Sequence, residues 1–278
     1  MSEDVSAPCE EACKEAAGEL VNADFEGARR KLFEMFMNRR FFEVDVNCPV
    51  HGLQKMMVAE DAKGDVTCPE CEKEREEQAA KQAKRAVHER SLERRGVARE
   101  FFGATVANYV PRSEGQKEAR SCVRNLCEGK LKKVVLLGGN GVGKTHLACA
   151  AVKWLGGKRV TAYELGLRIR ATYSRAAQET EQDVLDELAR LPFLVIDELG
   201  RSKNSEAMKD WLSYIVDRRH SAGLPLMICS NAHMMTDCPK GGCDGCFEQL
   251  VGSDVLSRLQ QDSQFVRIGD VKDFRRGA

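Results

Sequence analysis

The chain has 278 residues, 42% hydrophobic and 31% charged, with 43 basic side chains against 43 acidic ones and a formal net charge of +0. That composition leaves room for a core in roughly two domains of ~100–200 residues. It excludes a chain-wide basic surface, so any contact with nucleic acid would use a local patch, and no apolar run approaches the ~18–20 residues of a membrane helix.

The first stretch, 1–11, is acidic and polar, without the basic start and apolar run of a secretory signal. A cytoplasmic chain is expected, one that keeps its 12 cysteines reduced, as buried thiols or metal ligands rather than disulfides. Residues 10–42 carry Leu20, Phe25, Ala28, Leu32, Phe33 and Phe36 at helical spacing among charges, which predicts an N-terminal helical region over 1–45. Cys9 and Cys13 lie one helical turn apart and could bind metal only with ligands from elsewhere.

A zinc-binding module is predicted over 46–75. Cys48-Pro49-Val50-His51 and Cys68-Pro69-Glu70-Cys71 form a C-x₂-H…C-x₂-C pattern that suits a closed, structural Cys₃His zinc site. The segment between, 53–67, is long enough for a short hairpin. A charged helical linker follows over 76–98, part of a stretch rich in Glu, Lys, Arg, Gln and Ala that reads as an exposed helix.

From 99 to 278 strand-like and helix-like segments alternate, which predicts an α/β domain with a parallel sheet. Strands are expected at 133–137, 159–163, 193–196, 224–230 and 265–268. Helices are expected at 145–155, 165–176, 183–191, 205–220 and 248–261.

The run Gly138, Gly139, Asn140, Gly141, Val142, Gly143, Lys144, Thr145 fits G-x-x-x-x-G-K-[ST] between a strand and a helix. Glycines let successive N–H groups point at one phosphate, and the helix N-terminus adds its positive end. Lys144 would reach the β and γ phosphates and Thr145 would bind Mg²⁺. Leu194-Val195-Ile196-Asp197-Glu198 brings two acids to the end of a strand, where open α/β sheets bind ligands. Asp197 would hold Mg²⁺, and Glu198 would polarise the attacking water. Asn231, at the tip of the 224–230 strand, is either a turn-forming amide or a neighbour of the γ phosphate.

Cys238, Cys243 and Cys246, with Pro and Gly between them, either surround a second zinc, with His233 as a candidate fourth ligand, or form a reduced cysteine loop. Cys122, Cys127, Cys149 and Cys229 read as small buried hydrophobes.

Several stretches in fixed order give residues 97–278 a resemblance to the AAA+ ATPases of the DnaC/DnaI helicase-loader and IstB group. They are Arg99-Glu100-Phe101-Phe102-Gly103 through Tyr109, Gly143-Lys144-Thr145-His146-Leu147-Ala148, Val195-Ile196-Asp197-Glu198-Leu199-Gly200, Cys229-Ser230-Asn231, Val255-Leu256-Ser257-Arg258-Leu259 and Asp273-Phe274-Arg275. The resemblance implies that His146 belongs to the nucleotide-binding run and that Asn231 senses the γ phosphate. It further implies that Arg258 is an arginine finger supplied in trans and that Arg275 contacts nucleotide. On the residues alone, Arg258 is a solvated helix arginine.

The stretch 269–278 is too short for a helical lid, as in the loader group, so slow ATP hydrolysis that depends on self-assembly or a partner is expected. The resemblance also implies that Arg168, Arg170 and Arg175, near Tyr163 and Tyr173, touch single-stranded DNA; otherwise they form a solvated basic face with the tyrosines in the core.

The implied protein is a bacterial or phage-encoded ATPase that uses ATP/ADP, Mg²⁺ and Zn²⁺. It would deliver a hexameric replicative helicase, gripped by the N-terminal region, onto single-stranded DNA, with ATP as a switch. An IstB-like transposition ATPase acting on duplex DNA and a zinc-stabilised adaptor with structural nucleotide are the alternatives.

Overall fold

The computed structural model describes residues 40–59, 67–201 and 206–269, and the chain divides into two units after Lys84. Most of the helical region expected over 1–45 lies outside the described residues, as do Cys9, Cys13 and Arg275.

In the first unit, aromatic and β-branched residues favour extended chain at Phe41, Phe42, Val44 and Val46. They form strand β1 (Phe41–Cys48), which pairs antiparallel with β2 (Gly52–Ala59) in a register running from Phe41 opposite Ala59 to Cys48 opposite Gly52. The first cysteine knuckle is therefore the hairpin turn itself, with Gly52 in the left-handed region at φ 72°. This corrects the hairpin expected within 53–67: its second strand is used up by pairing with residues ahead of the knuckle. The second knuckle opens helix α1 (Pro69–Arg94), with Pro69 at the first helical position and Glu70 and Glu72 in the first turn. Up to Lys84 this helix is exposed apart from its first turn, as its charge pattern requires.

The second unit is built on a five-stranded parallel sheet of order β4-β5-β6-β3-β7. Its strands are β3 (Lys133–Gly138), β4 (Lys158–Thr161), β5 (Leu194–Leu199), β6 (Leu226–Ser230) and β7 (Ser263–Ile268). The inner strands are near-continuous apolar runs because helices cover both faces. Alternate residues serve opposite layers. Val134 and Leu136 join one core with helices α2 (Glu114–Cys127) and α3 (Lys144–Leu155). Val135 and Leu137 join the other with α4 (Ala162–Thr172), α5 (Glu181–Arg190), α6 (Glu206–Ser221), α7 (Phe247–Val251) and α8 (Ser253–Gln260).

All five expected strands form, with ends shifted by a few residues. Helix α2 was not anticipated. The single helix expected over 248–261 is interrupted at Gly252, whose φ of 81° is outside helical space. The helix expected over 165–176 starts earlier and ends at Thr172. Its N-cap Thr161 and Glu164 form a capping box that fixes the start. Buried Arg219 on α6 donates to the carbonyls of Leu188, Ala189 and Leu191 at the end of α5 and to Pro225, tying two helices to the approach to β6. Cys122, Cys127, Cys149 and Cys229 are buried, and burial pushes the first three thiols up to about 11. Among the described residues, no helix is long and apolar enough to cross a membrane.

Candidate functional site

Residues 138–145 leave the C-terminal end of β3 and turn into α3. Gly143 caps that helix in the left-handed region at φ 93°, and a Cβ there would come within 2.5 Å of the Tyr109 ring. Only glycine satisfies both the backbone angle and the close approach. The loop is held from behind by two buried side chains. Tyr109 donates through its hydroxyl to the Val142 carbonyl at 2.9 Å, and Gln116 donates to the same oxygen at 3.0 Å. Burial raises the Tyr109 hydroxyl to about 12, so it stays a donor.

Lys144, with 7% exposure, donates to the carbonyls of Gly138 and Gly139 at 2.7 Å each and to Asn231 Oδ1 at 2.8 Å. The Asn231 amide in turn donates to Asn140 Oδ1 at 2.9 Å. Asn231 therefore sits between the lysine and the tip of the loop.

Asp197 is 1% exposed at the end of β5, where the register with β6 shifts. Its Oδ2 accepts from the Thr145 hydroxyl at 3.1 Å and from Arg159 Nε at 2.8 Å, and its Oδ1 accepts from the Glu198 amide at 2.8 Å. For Arg159, burial works against the charge and the Asp197 carboxylate more than offsets it, so its proton affinity rises. Glu198 stands in the left-handed region at φ 57°, an uncommon place for a non-glycine residue, and accepts from Arg201 at 2.6 Å.

Most of these residues line one cleft of about 450 Å³, together with Ala98, Glu100, Phe101, Asn108 and Val110, whereas Gly138, Gly139, Gln116 and Arg201 stand outside its lining. His146 also lines it and lies 3.1 Å from both the Thr105 carbonyl and Asn108 Oδ1. The cleft thus unites Asn140, Gly141, Val142, Gly143, Lys144, Thr145, His146, Asp197, Glu198 and Asn231. Polar backbone, a cation, a hydroxyl and carboxylates at strand ends can hold a phosphorylated ligand with a divalent cation.

Arg258 lies elsewhere: on α8 it donates to Asp217 at 2.6 Å and to the Asp254 carbonyl at 3.3 Å. Arg168 is taken up by Glu179 and Glu187, which together raise its proton affinity. Arg170 and Arg175 are exposed, and Tyr163 and Tyr173 are 59% and 65% exposed, so these tyrosines are not core residues.

Each cysteine motif closes into a four-ligand cluster, with its ligand atoms within 4.8 Å of one another. In the first, His51 Nδ1 lies 3.7, 3.6 and 3.3 Å from the sulfurs of Cys48, Cys68 and Cys71. Its Nε2 faces Glu74 at 3.4 Å, the carboxylate–imidazole pairing that orients metal-binding histidines. The backbone amides of His51 and Val50 hold the Cys48 thiol below its ordinary value, while the hydrogen bond shared with Cys48 pushes Cys71 up. In the second, His233 Nε2 lies 3.5 Å from both Cys243 and Cys246, and His233 with the Lys240 amide holds Cys238 down to about 6.

Sequence reasoning assigned no role to Arg159, Gln116 or Glu74. Glu74 was findable from its spacing one helical turn after Cys71. Arg159 lies on a short edge strand, and nothing local marks its partner in β5.

The model of IstB-like ATP-binding proteins matches residues 118–270. The replicative helicase loader DnaC of Escherichia coli K12 is 31% identical over 180 residues, which cover 62% of this chain and 69% of that protein. DnaC of Buchnera aphidicola from Acyrthosiphon pisum is 28% identical over the same length. Among solved structures, the crystal structure of the DnaC helicase loader superposes with a TM-score of 0.51 at 22% identity, covering 62% of this chain and 99% of that one, a likeness of fold.

Proposed function

The chain belongs to the family of IstB-like ATP-binding proteins, and from that premise we propose that it is an ATP-switched loader of a replicative DNA helicase. The observation that carries the reading is the convergence of Lys144, Thr145, Asp197 and Asn231 in one cleft, in a chain similar to proteins named replicative helicase loaders.

The site fits its ligands. Hard oxygen donors from Thr145 and Asp197 suit Mg²⁺, and the amides of 140–145 at the start of α3 suit phosphate. Bound ATP and magnesium supply the γ-phosphoryl group and neutralise its charge. Lys144 holds the β and γ oxygens, and moving from the Gly138 and Gly139 carbonyls to phosphate keeps its donors satisfied. Glu198 orients and polarises the attacking water, accepting its proton. Asn231 bridges Lys144 and the loop tip, so occupation of the γ position reaches β6 through it.

Arg258 serves as a finger toward a neighbouring subunit after leaving Asp217, and Arg275 contributes to nucleotide contact. The Cys48, His51, Cys68 and Cys71 cluster holds a structural zinc within a module that grips the helicase; three thiols and an imidazole leave no open position. Single-stranded DNA runs along α4, with phosphates on Arg170 and Arg175 and bases against Tyr163 and Tyr173. Arg168, paired with Glu179 and Glu187, orders that surface rather than contacting DNA.

The purified full chain should bind ATP, and Lys144→Ala should abolish that binding. It should co-purify with the hexameric replicative helicase of its host and promote helicase transfer to single strands. Remodelling of duplex DNA without helicase binding would replace this reading with the transposition one. ATP affinity unchanged by Lys144→Ala would end both.

A further inference from the structure

We propose that His233, Cys238, Cys243 and Cys246 form a second structural zinc centre, and that this centre clamps the nucleotide-sensing end of β6 to the helices that carry Arg258. The ligand half of the inference stands on the cluster alone. The coupling half rests on the proposed role of Asn231.

The loop between Cys238 and Cys246 cannot hold itself by burial, although Ala232 and Met234 ahead of it pack partly against the core and Cys246 at its end is buried. Apart from Cys243 it contains Pro239, Lys240, Gly241, Gly242, Asp244 and Gly245, with no apolar side chain larger than the proline ring. Such a segment loses conformational entropy on ordering and gains no core in return. Yet its ends are pinned. The Phe247 amide donates to the His233 carbonyl at 2.8 Å, and His233 and Cys246 form a parallel bridge. Glu248 on α7 accepts from the Met235 amide with both oxygens, at 3.0 and 2.9 Å. Arg267 on β7 donates to Asp237 at 2.7 Å. Inside that frame the four ligand atoms converge to within 4.8 Å.

The donor set selects the ion. Three thiolates with one imidazole and no further position suit tetrahedral, closed zinc rather than a hard cation. Loading releases the thiol protons to solvent, and the ion replaces them as the bond between otherwise unsupported turns.

The ligands come from two elements that matter to the nucleotide. His233 is two residues past Asn231, whose amide touches Lys144 and Asn140. Cys246 caps α7, whose Phe247 is fully buried, and α7 passes through Gly252 into α8 and Arg258. Metal therefore ties the residue that feels the γ phosphate to the helix pair that leads to the finger. Without it, β6 stays paired in the sheet up to Ser230, but Asn231 just beyond loses the fixed exit that aims its amide.

The test uses the full chain expressed with zinc. Elemental analysis should find two zinc ions per chain. Cys68→Ser with Cys71→Ser should lower that to one, and Cys238→Ser with Cys243→Ser should also lower it to one. His233→Cys should keep both ions, and cobalt in its place should show the visible bands of a tetrahedral thiolate site. In nucleotide titrations, the Cys238→Ser/Cys243→Ser chain should shift the ratio of ADP to ATP dissociation constants in the same direction as Asn231→Ala. One zinc per wild-type chain, all of it removed by the Cys68→Ser/Cys71→Ser pair, would overturn the site. Two zincs with an unchanged nucleotide ratio in the Cys238→Ser/Cys243→Ser chain would overturn the clamp. Zinc stoichiometry needs no nucleotide, so a chain that bound no ATP would defeat the loader reading while leaving the metal count decisive for the site.

Discussion

The cluster of Cys48, His51, Cys68 and Cys71 sits in a unit whose described part is one hairpin and the start of one helix. Its only buried residues there are Cys48, Val58 and Cys68. The cluster of His233, Cys238, Cys243 and Cys246 sits on the rim of a sheet whose two cores are already closed, one by Val134, Val195 and Met227 and the other by Val135, Ile196, Ile228 and Phe247 among others. The ligand sets are the same, but the structural problems differ. In the first place the ligands are most of the core, and in the second they finish a loop that a complete fold has left open. A small module without sufficient apolar burial needs such a staple to fold at all, whereas a large one needs it only for local order.

The largest expected effect tests that contrast directly. Structural zinc in small modules is worth about 10–16 kcal/mol of folding free energy. Chelation of the full chain should therefore unfold the 41–59 hairpin, seen as loss of its amide protection in hydrogen exchange, while β3, β5 and β6 remain protected. A hairpin that stays protected without metal would break the comparison.

A second test asks whether the cleft around Lys144 and Asp197 is as self-sufficient as the cores beside it suggest. Asp197 is almost fully buried, and Arg159 is its cationic partner at 2.8 Å. Removing one member of a buried pair costs about 3–5 kcal/mol, because the other charge stays behind unpaired. Arg159→Met should lower the melting temperature of the second unit sharply, and magnesium with ATP should restore part of the loss by supplying a new cation to Asp197. Neutralising both members, with Asp197→Asn added, should recover stability but not nucleotide binding. An unchanged melting temperature in Arg159→Met would mean that water already serves Asp197.

How much of this was legible depended on whether the signal was local. β3 and the loop after it could be read because apolar run, glycines and helix follow one another along the chain. The acids after β5 could be read for the same reason. Helix α2 was equally local: Ser113 accepts from the Gln116 amide, and Ala119, Cys122, Val123 and Leu126 share one face. Its signal is weak because that face mixes Ala119 and Cys122 with Val123 and Leu126, and Gly115 stands near its start. That glycine is required, since a Cβ there would lie 2.6 Å from the Arg267 carbonyl. The Arg159–Asp197 pair and the Gln116 brace join parts of the chain 38 and 26 residues apart, so spacing alone could not reveal them, whereas His233 could be named as a ligand because it lies within 13 residues of its cysteines.

Gly143 sharpens the comparison at a smaller scale, because there the cleft depends on backbone rather than on charge. Gly143→Ala forces a side chain into the left-handed region and against the Tyr109 ring, a cost of about 1–3 kcal/mol. Most of it should appear as weaker ATP affinity, roughly tenfold to a hundredfold, since the loop can relax by leaving its phosphate-binding shape. Calorimetric titration with ATP measures this, and undiminished affinity would show that the loop tolerates a second shape.

The smallest effect is expected where neither metal nor nucleotide is involved. Thr180 caps α5, its hydroxyl accepting from the Asp183 amide while the Asp183 carboxylate accepts from the Thr180 amide at 2.9 Å. Thr180→Ala removes one half of that exchange and should cost about 1 kcal/mol. The helix survives because Val184, Leu185 and Leu188 remain buried in the core beneath it. Denaturant unfolding should therefore shift its midpoint slightly, with ATP affinity and zinc content both unchanged. If Thr180→Ala also weakened ATP binding, α5 would have to be coupled to the cleft through Arg219 and β6, and the separation between a self-supporting core and the 238–246 loop would be less sharp than the packing implies.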